Sequence, residues 1–321
     1  MRPYTRLFLS LLFCGLLSFS ISGCNLSQII ASLYMDITDA PIDDPLYQDV
    51  YITIAGLEVN GKKLEDFGEK QTIKISELQA GVTAQLVNAE VAAGEYDNIT
   101  LILDYDEDEN GTAPGCYAMT SYERKIDLAN GKTGEQKISL TKALNLSADE
   151  EVNLVIDFDL RKSIRSSQPG DESELVFVEG NDLVSALRVV DKAEAGTIKG
   201  TLLSELPSSS AVNTYVIYAY KPEDFNKDTE RFDSDGDGIA FEKAVTSTLV
   251  TVLPGHSENF SLHYLEAGTY TLVIEAYESE EFYRYPVGYL KTVGAEVVGV
   301  PVNVKVQEET TINLTGIGVV P

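Results

Sequence analysis

From Val50 to Ala55 the chain reads Val-Tyr-Ile-Thr-Ile-Ala, large aliphatic side chains alternating with smaller or more polar ones. A period of two turns successive side chains to opposite faces, so such a segment makes a half-buried strand and cannot make an amphipathic helix. The same pattern recurs over residues 71–75, 83–88, 96–104, 124–128, 136–140, 152–158, 175–178 and 183–190, with turn formers between most of them. Asn60-Gly61 directly follows the first such run and marks a tight hairpin. Helical periodicity is weak and leaves room for a turn or two at residues 75–78 and 159–166. Many short strands at this spacing predict an all-β chain built as sandwiches or barrels.

The pattern restarts near residue 194. A strand over 196–203 is followed by further strands at 215–220, 245–253, 259–265, 269–277, 287–290 and 302–314. We therefore expect two β-sandwich-like domains, residues 33–193 and 194–321, behind an N-terminal signal peptide. A chain of 321 residues suffices for two cores.

Met1 to Arg6 carries two positive charges and no acid, and residues 7–21 form an uncharged run of apolar and small residues. That is the layout of a secretory signal, and the run is short for a membrane span of roughly 20 residues. Ile21-Ser22-Gly23-Cys24 resembles the bacterial lipobox. The expectation is cleavage after residue 23, diacylglycerol on Cys24 and a tether over residues 24–32. Asn25 stands where an Asp would retain a lipoprotein at the inner membrane, so the expected address is the outer membrane, on its surface or periplasmic face. Of the three cysteines, Cys14 leaves with the signal and Cys24 is lipidated. Cys116 then has no partner within the chain and reads as a quiet, partly buried thiol.

The formal net charge is −27, and loss of Arg2 and Arg6 with the signal makes it more negative still. Such a surface repels nucleic acid, so the expected partners are the lipid membrane, through acylated Cys24, and an unidentified protein or glycan. Catalytic motifs fail on inspection. Gly255-His-Ser-Glu-Asn259 lacks the closing glycine of a nucleophile elbow. The run from Gly56 to Lys63 puts Lys63 where a phosphate-binding loop needs a hydroxyl. Two histidines without cysteine neighbours make a zinc site a poor reading.

Acidic loops carry the remaining candidates. Asp233-Ser-Asp-Gly-Asp-Gly238 opens like a calcium loop, with Asp233, Asp235 and Asp237 at alternating positions, the carbonyl of Ile239 beyond them and Glu242 to close the shell. Asp106, Asp108 and Asn110 repeat the half-motif more weakly, and a solvated hairpin tip explains them as well. Calcium (Ca2+) is thus the one cofactor expected. Asp157 and Asp159 flank Phe158, so both carboxylates share one strand face. With Arg161 and Lys162 beyond them they read as a salt-bridged strand end, or as a binding site together with Asp36, Asp39 and Asp43. Tyr215, Tyr218, Tyr220 and the Phe282-Tyr-Arg-Tyr285 run could stack on sugars, although tyrosines in strands mostly pack in cores.

Five stretches carry a family resemblance: Asp36-Ile-Thr-Asp-Ala-Pro-Ile-Asp-Asp44, Val50 to Val59, Leu78 to Leu86, Ala93 to Leu101, and Leu154 to Ile164. In that order and spacing they resemble the domain of unknown function 4382 family of exported bacterial proteins. The second half is similar, more loosely, to carboxypeptidase-regulatory or transthyretin-like sandwiches, through Gly196-Thr-Ile-Lys-Gly-Thr201 and Ala267-Gly-Thr-Tyr-Thr271. The first resemblance implies an envelope address and no activity. The resulting expectation is a non-catalytic, membrane-anchored lipoprotein for binding, adhesion or envelope assembly. Alternatives are a carbohydrate-binding accessory protein of polysaccharide uptake, or an enzyme of unfamiliar type.

Overall fold

The computed structural model describes residues 29–40, 47–120, 123–168, 171–231, 239–279, 284–294 and 298–320. The chain is all-β. Its N-terminal lobe runs β1 (Ile30–Ala40), β2 (Tyr47–Val59), β3 (Lys62–Lys63), β4 (Gln71–Lys74), β5 (Ala84–Ala92), β6 (Gly94–Asp104), β7 (Tyr117–Thr120), β8 (Lys125–Asp127), β9 (Glu135–Leu146) and β10 (Glu151–Asp159). A one-turn helix α1 (Leu160–Ser163), β11 (Ile164–Gln168), β12 (Asp171–Phe177), the short helix α2 (Asn181–Ser185) and β13 (Leu187–Asp191) complete it.

One sheet has the order β13-β10-β1-β5, and a second has β8-β7-β2-β6-β9 with β3 and β4 added to β2. Alternation decides which side chains meet between them. Leu33, Met35 and Ile37 of β1 and Leu154, Ile156 and Phe158 of β10 point one way, against Ile52 and Ile54 of β2 and Leu101 and Leu103 of β6. Each such side chain contributes roughly 1.5–3 kcal/mol on full burial. At the β2–β3 hairpin, Asn60 (φ 48°) and Gly61 (φ 73°) take the left-handed backbone that a two-residue turn requires.

The C-terminal lobe holds β14 (Ala195–Ser204), β15 (Val212–Tyr220), β16 (Thr246–Thr251), β17 (Ser257–Glu266), β18 (Gly268–Ser279), β19 (Arg284–Thr292), β20 (Val300–Val304) and β21 (Glu309–Val320). They form one sheet in the order β16-β15-β18-β19-β21-β14-β17, with β20 on β18. The sheet curls until its edge strands β16 and β17 lie side by side with no ladder between them, enclosing Ile198, Leu202, Ile217, Leu262, Leu272 and Ile274. A second cluster forms on the outer face of β15 and β18. There Tyr218, Tyr220 and Tyr277 pack with Tyr289, Phe241 and Ala244, beneath the segment that links β15 to β16.

Four local readings of the sequence change. Residues 30–32, expected in the tether, already belong to β1, a central strand paired on both edges. The turn expected over 159–166 is helical only to Ser163, where β11 takes over because Ile164 pairs with Phe177. The strand expected over 183–190 begins as α2 and becomes extended only at Leu187. The long strand expected over 302–314 divides into β20 and β21 at Gln307 (φ 53°), whose N–H donates to the Ala195 carbonyl.

Candidate functional site

The parallel pairing of β1 with β10 places Thr38 opposite Asp157, Asp39 opposite Phe158 and Ala40 opposite Asp159, so three acidic residues lie where both strands end, Asp39 on the Phe158 face and Asp157 and Asp159 on the other. All three are buried. Isolated charges could not remain there, and each carboxylate is held by neighbours. Asp39 accepts from the Leu160 N–H at 3.1 Å, which ties β1 to the start of α1. Burial pushes its carboxyl well above the usual range, and the neighbouring Asp159 and Asp157 charges push the same way. Asp157 lies beside Arg188 of β13, whose Nε donates to it at 2.8 Å. Burial raises its pKa, with Arg188 opposing. Asp159 caps α1 by accepting from the Lys162 N–H and also receives Arg161 Nη2 at 2.8 Å. Lys162 is so far desolvated that its ammonium falls to about 8.

The basic partners reach across to the C-terminal lobe. Arg161 Nη1 donates to the carbonyls of Phe241 at 2.7 Å and Ala240 at 3.2 Å, and its guanidinium sits 5.4 Å from the centre of the Tyr218 ring. Tyr218 stacks on Phe241 at 4.2 Å. Arg188 Nη1 donates to the Tyr264 carbonyl at 2.6 Å, and the Tyr264 hydroxyl returns a bond to the Gly81 carbonyl at 2.9 Å. Gly81 (φ 87°) has no room for a side chain, because a Cβ there would come within 2.6 Å of His263 Nδ1. Ile239 crosses the boundary and packs in the N-terminal core. Between the lobes lies a cavity of about 20 Å³, lined by Thr38, Asp39, Asp157, Ser247, His263 and Tyr264. Burial and Lys199 hold the His263 imidazole below its usual pKa.

This arrangement brings together Asp39, Asp157 and Asp159 of the expected binding set. Asp36 stands apart on β1, bound by Lys192 and by the Thr83 hydroxyl at 3.0 Å. Asp43 lies outside the described residues. At the junction Asp157 and Asp159 are engaged by guanidinium groups, and Asp39 by the Leu160 N–H. Arg188, Tyr264 and Gly81 escaped the sequence reading. Arg188 did carry a signal, a lone cation between Leu187 and Val189 on a strand, but its partners on other strands could not be named from it.

The other candidates are dispersed. Asp106 accepts from the Gly134 N–H at 2.8 Å, while Asp108 accepts from the Asn110 and Thr112 N–H groups at 2.9 Å, so that loop uses its carboxylates to fix its own turns. Among the described residues no group of three or more His, Cys, Asp or Glu side chains is placed to hold a metal ion. Asp233, Asp235 and Asp237 lie outside the described residues, as do Cys24 and the signal segment. Of that calcium set, Ile239 is buried in the N-terminal core and Glu242 is exposed. The tyrosines weighed as sugar platforms, Tyr215, Tyr218 and Tyr220, are fully buried. Cys116 is fully buried too, with its thiol pushed up to about 12 by desolvation. Among the described residues no helix is long and apolar enough to cross a membrane.

Compared with known families, residues 30–177 match the one described as "Domain of unknown function (DUF4382)". The match stops at the end of β12, so the likeness concerns the N-terminal lobe. No curated protein matches the chain. Among solved structures, the TIE protein of Bacillus anthracis is 12% identical with a TM-score of 0.19; the alignment covers 89% of this chain and 34% of that one, about a third of its length. The minor pilin GBS52 of Streptococcus agalactiae is 10% identical over 90% of this chain and 98% of its own, with a TM-score of 0.19. The major pilin subunit BcpA of Bacillus cereus is 10% identical over 90% and 71%, with a TM-score of 0.18. Likenesses this low say nothing of role.

Proposed function

We propose that the chain is a lipid-anchored, non-catalytic binding module of the bacterial envelope that holds its C-terminal lobe away from the membrane. The observation that carries this reading is the direction of β1. That strand begins at Ile30, six residues after Cys24, and runs to Ala40 beside the junction, where Asp39 meets α1 and the C-terminal lobe packs. An acyl chain on Cys24 would therefore hold the pole opposite the junction. The engagement of the buried charges in joining the lobes supports a structural use for them over a catalytic one.

The test is metabolic labelling of the full chain with palmitate, followed by envelope fractionation. Wild type should carry label and sediment with outer membrane, and Cys24→Ala should lose both. An unlabelled wild-type protein, or one that fractionates like Cys24→Ala, overturns the reading.

A further inference from the structure

Where β16 and β17 approach without pairing, the C-terminal sheet leaves a groove of about 510 Å³, closed at one side by Ala80 of the N-terminal lobe. Its floor is the outward face of three strands in register. Thr201 of β14 is paired with Asn259 of β17 on one side and Asn313 of β21 on the other. Two residues back, Lys199 is flanked in the same way by Ser261 and Thr311. The result is two rows of three side chains, about 4.8 Å apart within a row and roughly 6.8 Å between rows.

The composition of that floor is unusual for this chain. Although the protein holds 51 acidic residues, among the described residues no Asp or Glu lines the groove, and Lys199, which does, is paired with Glu309 just outside. Hydroxyls and carboxamides both donate and accept, which suits a partner whose own groups do both. The Thr201 hydroxyl donates to Asn313 Oδ1 at 2.9 Å, which leaves the Asn313 amide N–H groups directed elsewhere. Leu249 and Ala80 add apolar surface on the walls. On the floor, the β14 backbone is bonded on both edges, while β16 and β17 are the end strands of the sheet. An anionic polymer would meet the repulsion of the surrounding surface.

We propose that this groove binds a neutral, hydroxyl-rich glycan chain, laid across the two rows. The proposal rests on the reading of the chain as a binding module and names the ligand class of one site on it. It differs from a stacking platform in using aligned hydroxyl and amide groups, with Tyr215, Tyr218 and Tyr220 buried elsewhere.

The probes are soluble dextran, laminarin and galactomannan, with alginate as the anionic control, titrated into the detergent-solubilised full chain by calorimetry. At least one neutral polymer should bind, and alginate should not. Thr201→Val and Asn259→Ala, each removing one polar group, should weaken binding about fivefold to tenfold, and the pair more. Ser257→Ala, at the exposed end of β17 and outside the groove, should bind as wild type does. A melting temperature matching wild type establishes that each variant is folded. No binding by any neutral polymer, equal binding by folded Thr201→Val and Asn259→Ala, or equal binding of alginate overturns the proposal. Palmitate label on the same preparation reports separately on the anchoring, so either idea can fail without the other.

Discussion

Replacing Arg161 by Met keeps the aliphatic stem and removes the fork that bridges the lobes. In the native protein this side chain is 5% exposed, and its guanidinium satisfies Asp159 and the carbonyls of Ala240 and Phe241. Removing one partner of a buried ion pair costs about 3–5 kcal/mol, because the other is left charged without compensation. Lys162 Nζ, 3.8 Å from Asp159, offsets part of that loss, which argues for the lower half of the range. A loss of about 3–4 kcal/mol corresponds to a fall in melting temperature of roughly 6–16 °C for lobes of 150–250 residues. Scanning calorimetry of the full chain should show this fall together with a transition that splits, as the lobes lose their shared clamp. Arg161→Lys should lie between, since an ammonium cannot span two carbonyls and a carboxylate in the same plane. Adding Asp159→Asn to Arg161→Met should restore part of the loss, because the stranded charge goes with it. A single transition at the wild-type temperature in Arg161→Met would refute the clamp.

Three other outcomes are expected. Glu275 is fully buried against Arg231, and desolvation lifts its carboxyl to about 7 with Arg231 opposing. A folded-state value above the unfolded one gives stability that is complete below the ordinary carboxylate pKa and lost as pH rises through about 7, so Glu275→Gln should flatten the decline in melting temperature between pH 5 and pH 8 relative to wild type. Gly81→Ala forces a Cβ against the His263 ring in a backbone region that alanine avoids, and should lower stability by about 1–3 kcal/mol in a chemical denaturation curve. Cys116 should resist alkylation by iodoacetamide at pH 8 in the folded protein and react fully in guanidinium, as read by mass spectrometry; rapid native labelling would contradict its burial.

Strand content was legible because alternation is a local property. Residues 50–55 and 152–158 carry it within a few residues, and they are strands β2 and β10. Ile30–Ala40 carries it too, with Ala31, Leu33, Met35 and Ile37 all inward, yet its place directly after the segment read as a lipidation signal made its first residues look like a tether. What stayed hidden was pairing. Asp157 and Asp159 stand out as acids beside an aromatic residue, but whether they face water or Arg188 depends on β13 lying next to β10. No period in a single segment encodes that adjacency. The clamp acceptors on the far side, the Phe241 and Tyr264 carbonyls, are more distant still, since both are backbone atoms and carry no residue signature at all. The polar groove depends likewise on three strands sharing a register, which scatters its members between residues 199 and 313.

Ile239 belongs by sequence to the C-terminal lobe and by packing to the core of the N-terminal one. A chain synthesised from its N-terminus delivers all thirteen strands of the N-terminal lobe before this residue emerges. Until then that lobe lacks the Ile239 side chain in its core, and the carbonyls that Arg161 binds at residues 240 and 241 are missing as well. Completion of the N-terminal core thus waits for residues of the C-terminal half to arrive.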